Sequence, residues 1–282
     1  MYKTNAQSTG IGGRVVEAWR TYADKIHGLA DAHVDALDPT QRAYLARLDE
    51  MTRHGHGTVE TGIFKGLNLQ HAGNKDDHEL VEKLEGHFET CIQEILLKIT
   101  NKKFPGIINV GCIDGYYAMG TAVTFKPEVV HVVEPRLAGR ARLMANMAIN
   151  NIETDIEVDA SVTSTEVSQI ARIYEHLLVI LDEPNLTDTV INAETIEFLG
   201  HSEFIIETTC MSHVMYVERI VRLLSASHHI SSINKDPLGV LPLVHPDDPS
   251  TREPIVQLWS GKPNSKSWLY AVPKNLTRPS CK

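Results

Sequence analysis

The sequence predicts an α/β fold: a doubly wound, mostly parallel sheet of seven strands with helices on both faces, preceded by a helical extension. Three observations predict it. From residue 104 onward, short Val/Ile/Leu runs alternate with helix-length amphipathic stretches. Those runs are continuously apolar, as strands buried on both faces are. A glycine-punctuated turn, INVGCIDGYYAMG ending at Gly120, follows the first run and leads into a helical pattern. Strand-helix alternation with such a turn builds a parallel sheet whose ligand crevice lies at the strands' carboxyl ends.

Taken in order, residues 1–13 are polar and glycine-containing, and a first helix follows in which Trp19, Tyr22, Ile26 and Leu29 recur at helical spacing. Asp38, Pro39 and Gln41 then supply a cap, a first-turn proline and a capping-box partner for a second helix through Tyr44, Leu45, Leu48 and Met51. Residues 53–69 mix glycines with β-formers and read as a hairpin or an irregular extended piece. One long helix is expected from Asp76 to Thr100, because Leu80, Leu84, Phe88, Cys91, Ile95 and Ile99 form one stripe. The strands are expected at 107–110, 129–133, 155–158, 177–181, 203–207, near 228–234 and at 267–272, with helices at 116–124, 136–149, 164–175, 189–199 and 213–225. Residues 1–103 thus form a helical extension, a lid or a dimerisation surface, and 104–282 the α/β domain.

Bulk properties narrow the function. Of the 282 residues, 42% are hydrophobic and 22% charged, ordinary for a globular protein, and the net charge of −9 disfavours nucleic acid as a partner. Cys91, Cys112, Cys210 and Cys281 form no CxxC pair, and no apolar run has the length of a membrane span. A cytoplasmic protein without a membrane partner is expected. The clusters HGHG (54–57) and VHPDD (244–248) contain metal-ligand residue types but read as solvated turns, so no metal is expected.

The turn after the first strand differs from a dinucleotide loop. Its glycines are Gly111, Gly115 and Gly120, which is not G-x-G-x-x-G, and Cys112, Ile113 and Asp114 occupy the bend where a pyrophosphate would approach. Asp114 would repel a phosphate and suit a cationic ligand. The next strand ends in Glu134, followed by Pro135, about 20 residues beyond the loop, where an acid accepts ribose hydroxyls.

INVGCIDGYYAMG, VVHVVEP and a helix ending in NMAINN together resemble class I S-adenosylmethionine-dependent methyltransferases, whose fold is Rossmann-like. The wording is closest to FkbM-like bacterial small-molecule methyltransferases. The resemblance runs in outline from 58 to 273, with TGIFKGLNL, KLEGHFE and an Arg252-to-Trp259 element as weaker pieces. It implies S-adenosyl-L-methionine as cofactor and methyl transfer to O or N of a small polar metabolite. It implies that Gly111, Asp114, Gly115 and Gly120 shape the loop, with Asp114 near the ligand's amino-acid end. Cys112, Tyr117 and Pro135 join the cofactor contacts, although Tyr116 and Tyr117 equally suit core packing. Glu134 takes the ribose, Asp159 and Ala160 flank the adenine, and Asp182 sits beside the transferred methyl.

Candidate catalytic groups at the strand ends are Asp182, Glu207 and His213, with Glu183 beside them; Asp182 has the best claim from its place at a strand's carboxyl end, and His213 reads better as a first-turn residue of the last helix. The acceptor side departs from the family. Relatives carry Asp-x-Glu-Gly and Glu-Leu-His after the fourth and fifth strands, whereas this chain has LDEPNLTD and IETTCMSH. A non-catalytic, methyltransferase-like subunit is therefore an alternative, and a nicotinamide-dependent oxidoreductase a more distant one. A homodimer through the N-terminal helices is a further expectation.

Overall fold

The structure is a computed structural model, and it describes residues 39–53, 56–70, 79–208, 214–234, 241–242 and 267–274. The expected first helix with Trp19, the Arg252-to-Trp259 element, the VHPDD cluster, Cys210, Cys281 and His213 lie outside the described residues.

Among the described residues there are two sheets. A short hairpin pairs β1 (His56–Thr58) with β2 (Asn68–Gln70) antiparallel. The main sheet contains β3 (Gly106–Val110), β4 (Val129–Val133), β5 (Asp155–Asp159), β6 (Leu177–Leu181), β7 (Glu203–Glu207), β8 (His228–Asn234), β9 (Leu241–Pro242) and β10 (Ser267–Pro273). Its order is β5-β4-β3-β6-β7-β10-β8-β9. β3 pairs parallel with β4 and β6, β4 with β5, and β6 with β7, whereas β10 runs antiparallel between β7 and β8. The seven expected strands are all present, and the two-residue β9 is an addition at the edge. The chain builds outward from β3 to β5 and then returns to β6, so the order reverses between β3 and β6.

Period-two alternation divides the sheet into two packed faces. Ile107, Leu178, Ile180 and Ile205 point to one core; Ile108, Val179, Leu181, Phe204 and Ile206 point to the other. The first face is covered by α4 (Tyr116–Phe125) and α5 (Leu137–Ile149), the second by α6 (Ser164–Ile173), α7 (Thr187–Val190) and α8 (Val214–Ser225). The described part of the extension belongs to the first face. Leu48 of α1 (Pro39–Met51), Phe64, Leu67 and Leu69 around the hairpin, Leu84 of α2 (Leu80–Glu85) and Ile92 of α3 (Thr90–Lys98) share one buried cluster with α4 and the sheet.

Asn146 in the last turn of α5 and Asn150 just past its end tie the hairpin down. Asn150 accepts from the Asn68 amide and donates to its carbonyl at 2.8 and 2.7 Å, and Asn146 accepts from the Gln70 amide at 2.7 Å. They satisfy the outer edge of β2, which would otherwise present unpaired backbone groups.

Two expected helices are corrected. The single helix over 76–100 is two helices, α2 and α3. Gly86 ends α2 in the left-handed conformation, φ 83°, and its amide reaches the Glu82 and Lys83 carbonyls. A side chain there would strike the Thr61 carbonyl of the hairpin turn, so the break is set by that close approach. Glu89, at φ 45°, redirects the chain into α3. The helix expected over 189–199 extends only to Val190. The Asn192 side chain accepts from the amides of Glu194 and Thr195, an alternative to continued helix.

Candidate functional site

The carboxyl ends of β3, β4, β6 and β7 converge at the reversal point, where open α/β sheets bind ligands. Leaving β3, the chain turns at Gly111 with φ 80° and at Gly115 with φ 84°. A Cβ on Gly111 would lie 2.5 Å from the Glu183 Cβ and 2.7 Å from the Asp182 carbonyl, so the loop rests directly on the end of β6. Between the glycines, Ile113 also takes a positive φ of 46°, unusual for a β-branched residue. Its amide consequently points at the β4 end and donates to Glu134 at 2.9 Å.

Gly120 is not part of this turn. It lies within α4, and a Cβ there would meet three Phe64 ring atoms at 2.5–2.6 Å. Its lack of a side chain admits the hairpin's phenylalanine. Tyr117 likewise points into the core: its hydroxyl donates to buried Glu89, and its ring lies 6.2 Å from that of Phe64 and 6.5 Å from that of Trp268.

Asp114 is buried rather than open to the crevice. One carboxylate oxygen accepts from the Tyr116 amide at 3.0 Å, and the other from Lys83 Nζ at 2.8 Å. Lys83, only 4% exposed, reaches in from α2 and also approaches Glu79 at 3.3 Å and the Phe88 ring at 4.8 Å. Burial alone would raise the Asp114 carboxyl, but the charge and hydrogen bond of Lys83 outweigh it and hold it below its ordinary value. The negative charge expected to face a ligand is thus matched internally. The pairing of Lys83 with Asp114 is not legible along the chain, since the two lie 31 residues apart.

Glu134 has no accessible surface. Its Oε1 accepts from the Arg136 amide at 2.8 Å and from Arg136 Nε at 2.7 Å; its Oε2 accepts from Ile113 N at 2.9 Å and from an Arg136 terminal nitrogen at 3.0 Å. Gly139 in the first turn of α5 lets the helix approach, as a Cβ there would come within 2.7 Å of the carboxyl carbon. Burial pushes the Glu134 carboxyl up, but the Arg136 fork and the two amides outweigh it and hold it below the carboxylate range. Pro135 is exposed, and its carbonyl accepts from Arg140 at 2.9 Å.

The other predicted residues fall around this centre. Cys112 is buried, and burial together with nearby Glu134 and Asp114 raises its thiol far above its ordinary value. Asp159 and Ala160 are exposed at the end of β5, and the Asp159 carbonyl accepts from the Glu134 amide at 2.9 Å. Asp182 is half-buried at the end of β6, its amide donating to the Val110 carbonyl at 2.8 Å. Pro184 begins a short 3-10 turn, Pro184–Leu186. Glu207 is buried at the end of β7, opposite Trp268 on β10. Both the amide and the hydroxyl of Thr208 donate to the Ser267 carbonyl, at 2.7 and 2.8 Å. Thr208 therefore fastens β7 to β10. Among the described residues, no group of three His, Cys, Asp or Glu is placed to hold a metal ion, and no helix is long and apolar enough to cross a membrane.

These buried groups bound the pH range of stability. Asp114, Glu134 and Glu203 have depressed carboxyl pKa values, Glu203 through His176, Lys102 and Tyr270 acting against burial. Their contribution is present above the unfolded carboxylate value of about 4 and is lost as pH falls through the folded values. Burial raises the phenols of Tyr117 and Tyr270, with Glu89 and Glu203 adding to it, and pushes Tyr216 up to about 12. Their contribution is complete below about pH 10 and lost above it. Urea midpoints measured across pH should show a plateau that falls below about pH 4 and above about pH 10. Midpoints rising on either flank would contradict these assignments.

The sheet order, with strand order reversing between β3 and β6 and an antiparallel strand inserted between β7 and β8, is Rossmann-like. No family model and no curated protein matches the chain. Solved structures similar to it include the N-methyltransferase NodS from Bradyrhizobium japonicum WM9 in complex with S-adenosyl-L-homocysteine, 9% identical, with TM-score 0.42 over 66% of this chain and 86% of that one. The m1A22 tRNA methyltransferase TrmK of B. subtilis is 9% identical, with TM-score 0.38 over 63% and 64%. The fibrillarin pre-rRNA processing protein of Methanococcus jannaschii is 11% identical, with TM-score 0.40 over 62% and 68%. Likeness at this level transfers no ligand or activity.

Proposed function

We propose that the protein binds S-adenosyl-L-methionine and transfers a methyl group to O or N of a small polar metabolite. The observation that carries this reading is Glu134, at the carboxyl end of β4, hydrogen-bonded to the glycine loop beside the strand-order reversal. An acid there is placed for ribose hydroxyls, and Gly111 keeps side-chain bulk out of the turn. These residues fit an adenosyl group once Arg136 gives way. The cofactor, when bound, supplies a methyl on a sulfonium. The chain's own residues then bind and align: Glu134 accepts the ribose, Asp159 and Ala160 border the adenine, and Asp182 faces the methyl. Asp182 and Glu207 are the proton acceptors for a hydroxyl or ammonium acceptor; His213 is the third candidate. The FkbM-like wording of the loop and the net charge of −9 support a small acceptor over nucleic acid. Residues 1–103 serve as lid or dimer surface to 104–282, in a cytoplasmic protein.

A second reading, a non-catalytic member of the same fold, is favoured by one feature: Asp114 and Glu134 are both already matched by basic side chains. Calorimetric titration with S-adenosylmethionine, S-adenosylhomocysteine and NAD tests binding. Micromolar affinity for the first two and none for NAD is expected, and tight NAD binding would overturn the proposal. Glu134→Gln should weaken S-adenosylhomocysteine binding by about 1–3 kcal/mol, the cost of a lost charged hydrogen bond. Methyl transfer assayed against a metabolite pool then separates enzyme from non-catalytic relative.

A further inference from the structure

Glu134 presents a conflict with the role just given to it. A carboxylate offers about four acceptor positions, and here four donors fill them: the Ile113 amide, the Arg136 amide and two guanidinium nitrogens of Arg136. The carboxylate has no accessible surface. Two ribose hydroxyls therefore cannot reach it in this arrangement. Something that covers it has to move.

The covering groups differ in mobility. The β4 backbone is held in the sheet on both sides. Gly139 is locked in α5, and the Ile113 amide is fixed by the glycine turn. The guanidinium stands apart: the Arg136 side chain is 49% exposed and ends a chain of single bonds with staggered alternatives. Removing it vacates one position on each carboxylate oxygen while both amide donors stay. That leaves two adjacent acceptors, one on each oxygen, the arrangement a vicinal diol requires.

We infer that Arg136 is an internal competitor for the ribose subsite: its guanidinium occupies Glu134 as a latch, and a ligand bearing a vicinal diol binds by displacing it. The inference rests on the adenosyl reading above and adds the residue that sets the affinity of that site. The latch keeps the carboxylate ionised and the loop ordered before binding, and it lowers apparent affinity by the fraction of time it is closed. An arginine fork matches two parallel acceptors, so lysine is a weaker latch than arginine.

The test is calorimetric titration of S-adenosylhomocysteine into wild type, Arg136→Met and Arg136→Lys, with thermal unfolding to check the fold. Adenosine and 2′,3′-dideoxyadenosine serve as paired probes. Arg136→Met should bind S-adenosylhomocysteine about tenfold tighter than wild type, with Arg136→Lys between them. The gain should appear for adenosine and be absent for the dideoxy probe, because only the diol competes for Glu134. Raising salt to about 0.5 M should narrow the gap by weakening the half-exposed ion pair in wild type. A merely structural arginine gives equal or weaker binding in Arg136→Met, or the same change for both adenosine probes; either result overturns the latch and leaves the adenosyl reading standing. If neither wild type nor the variants bind S-adenosylhomocysteine, the adenosyl reading fails and the latch falls with it.

Discussion

Lys83→Met is expected to destabilise the protein by about 3–5 kcal/mol, the cost of removing one partner from a buried ion pair. Both members are almost fully enclosed, Lys83 at 4% and Asp114 at 3% exposure, so no water replaces the lost ammonium. Methionine keeps an unbranched apolar stem, so what is lost is the ammonium, with its ion pair and its approaches to the Phe88 and Tyr116 rings at 4.8 and 5.8 Å. In a domain of this size the melting temperature should fall by roughly 10 °C. Two further readouts distinguish a charge effect from a packing effect. Asp114→Asn in the Lys83→Met background should recover most of the loss, because the asparagine still accepts from the Tyr116 amide without carrying a charge. The deficit of Lys83→Met should also shrink as pH falls into the carboxylate range, since a protonated Asp114 no longer needs the ammonium. A single variant within about 0.5 kcal/mol of wild type would show that the pair is solvated rather than buried.

Gly111→Ala should be nearly as damaging, at about 2–5 kcal/mol. The left-handed backbone at φ 80° costs an L residue about 1–2 kcal/mol. The added methyl then meets the Asp182 carbonyl and the Glu183 Cβ, neither of which is the flexible end of a side chain. Overpacking of that kind costs about 1–3 kcal/mol. Gly115→Ala is the internal comparison. Its φ is as positive, but its clash is with the Leu143 δ-methyl, which can rotate away. Urea unfolding of the two variants should rank Gly111→Ala as the more destabilised, and equal losses would mean that only the backbone conformation matters. Under the adenosyl reading, Gly111→Ala should also abolish S-adenosylhomocysteine binding even where the protein still folds, because the methyl pushes the loop away from β6.

Much of the fold was legible in the chain because its signals are local. Short runs such as LLVIL and EFIIE, rich in β-formers, have the length and composition of strands buried on both faces, and they are β6 and β7. The glycine turn and the strand-end acid were found by spacing alone. The misread helices carried their own warnings. Gly86 is a helix stop within an otherwise continuous stripe, and Asn192 offers its side chain in place of the next helical turn. The roles of Gly120 and Tyr117 were not legible, because Phe64 and Glu89, which explain them, lie far away along the chain.

By itself the sequence determined the alternation of strands and helices, the position of the crevice and the two acids that mark it, since hydrophobic period and glycine spacing are properties of neighbours in the chain. The tertiary structure decided what those acids are doing. Asp114 meets Lys83 across 31 residues, and Glu134 is closed off by an arginine fork, a loop amide and a helix that can approach only at glycine. Charge in a sequence is a count; whether it faces a ligand or a partner depends on which side chains share its low-dielectric surroundings, and only the packed fold sets that.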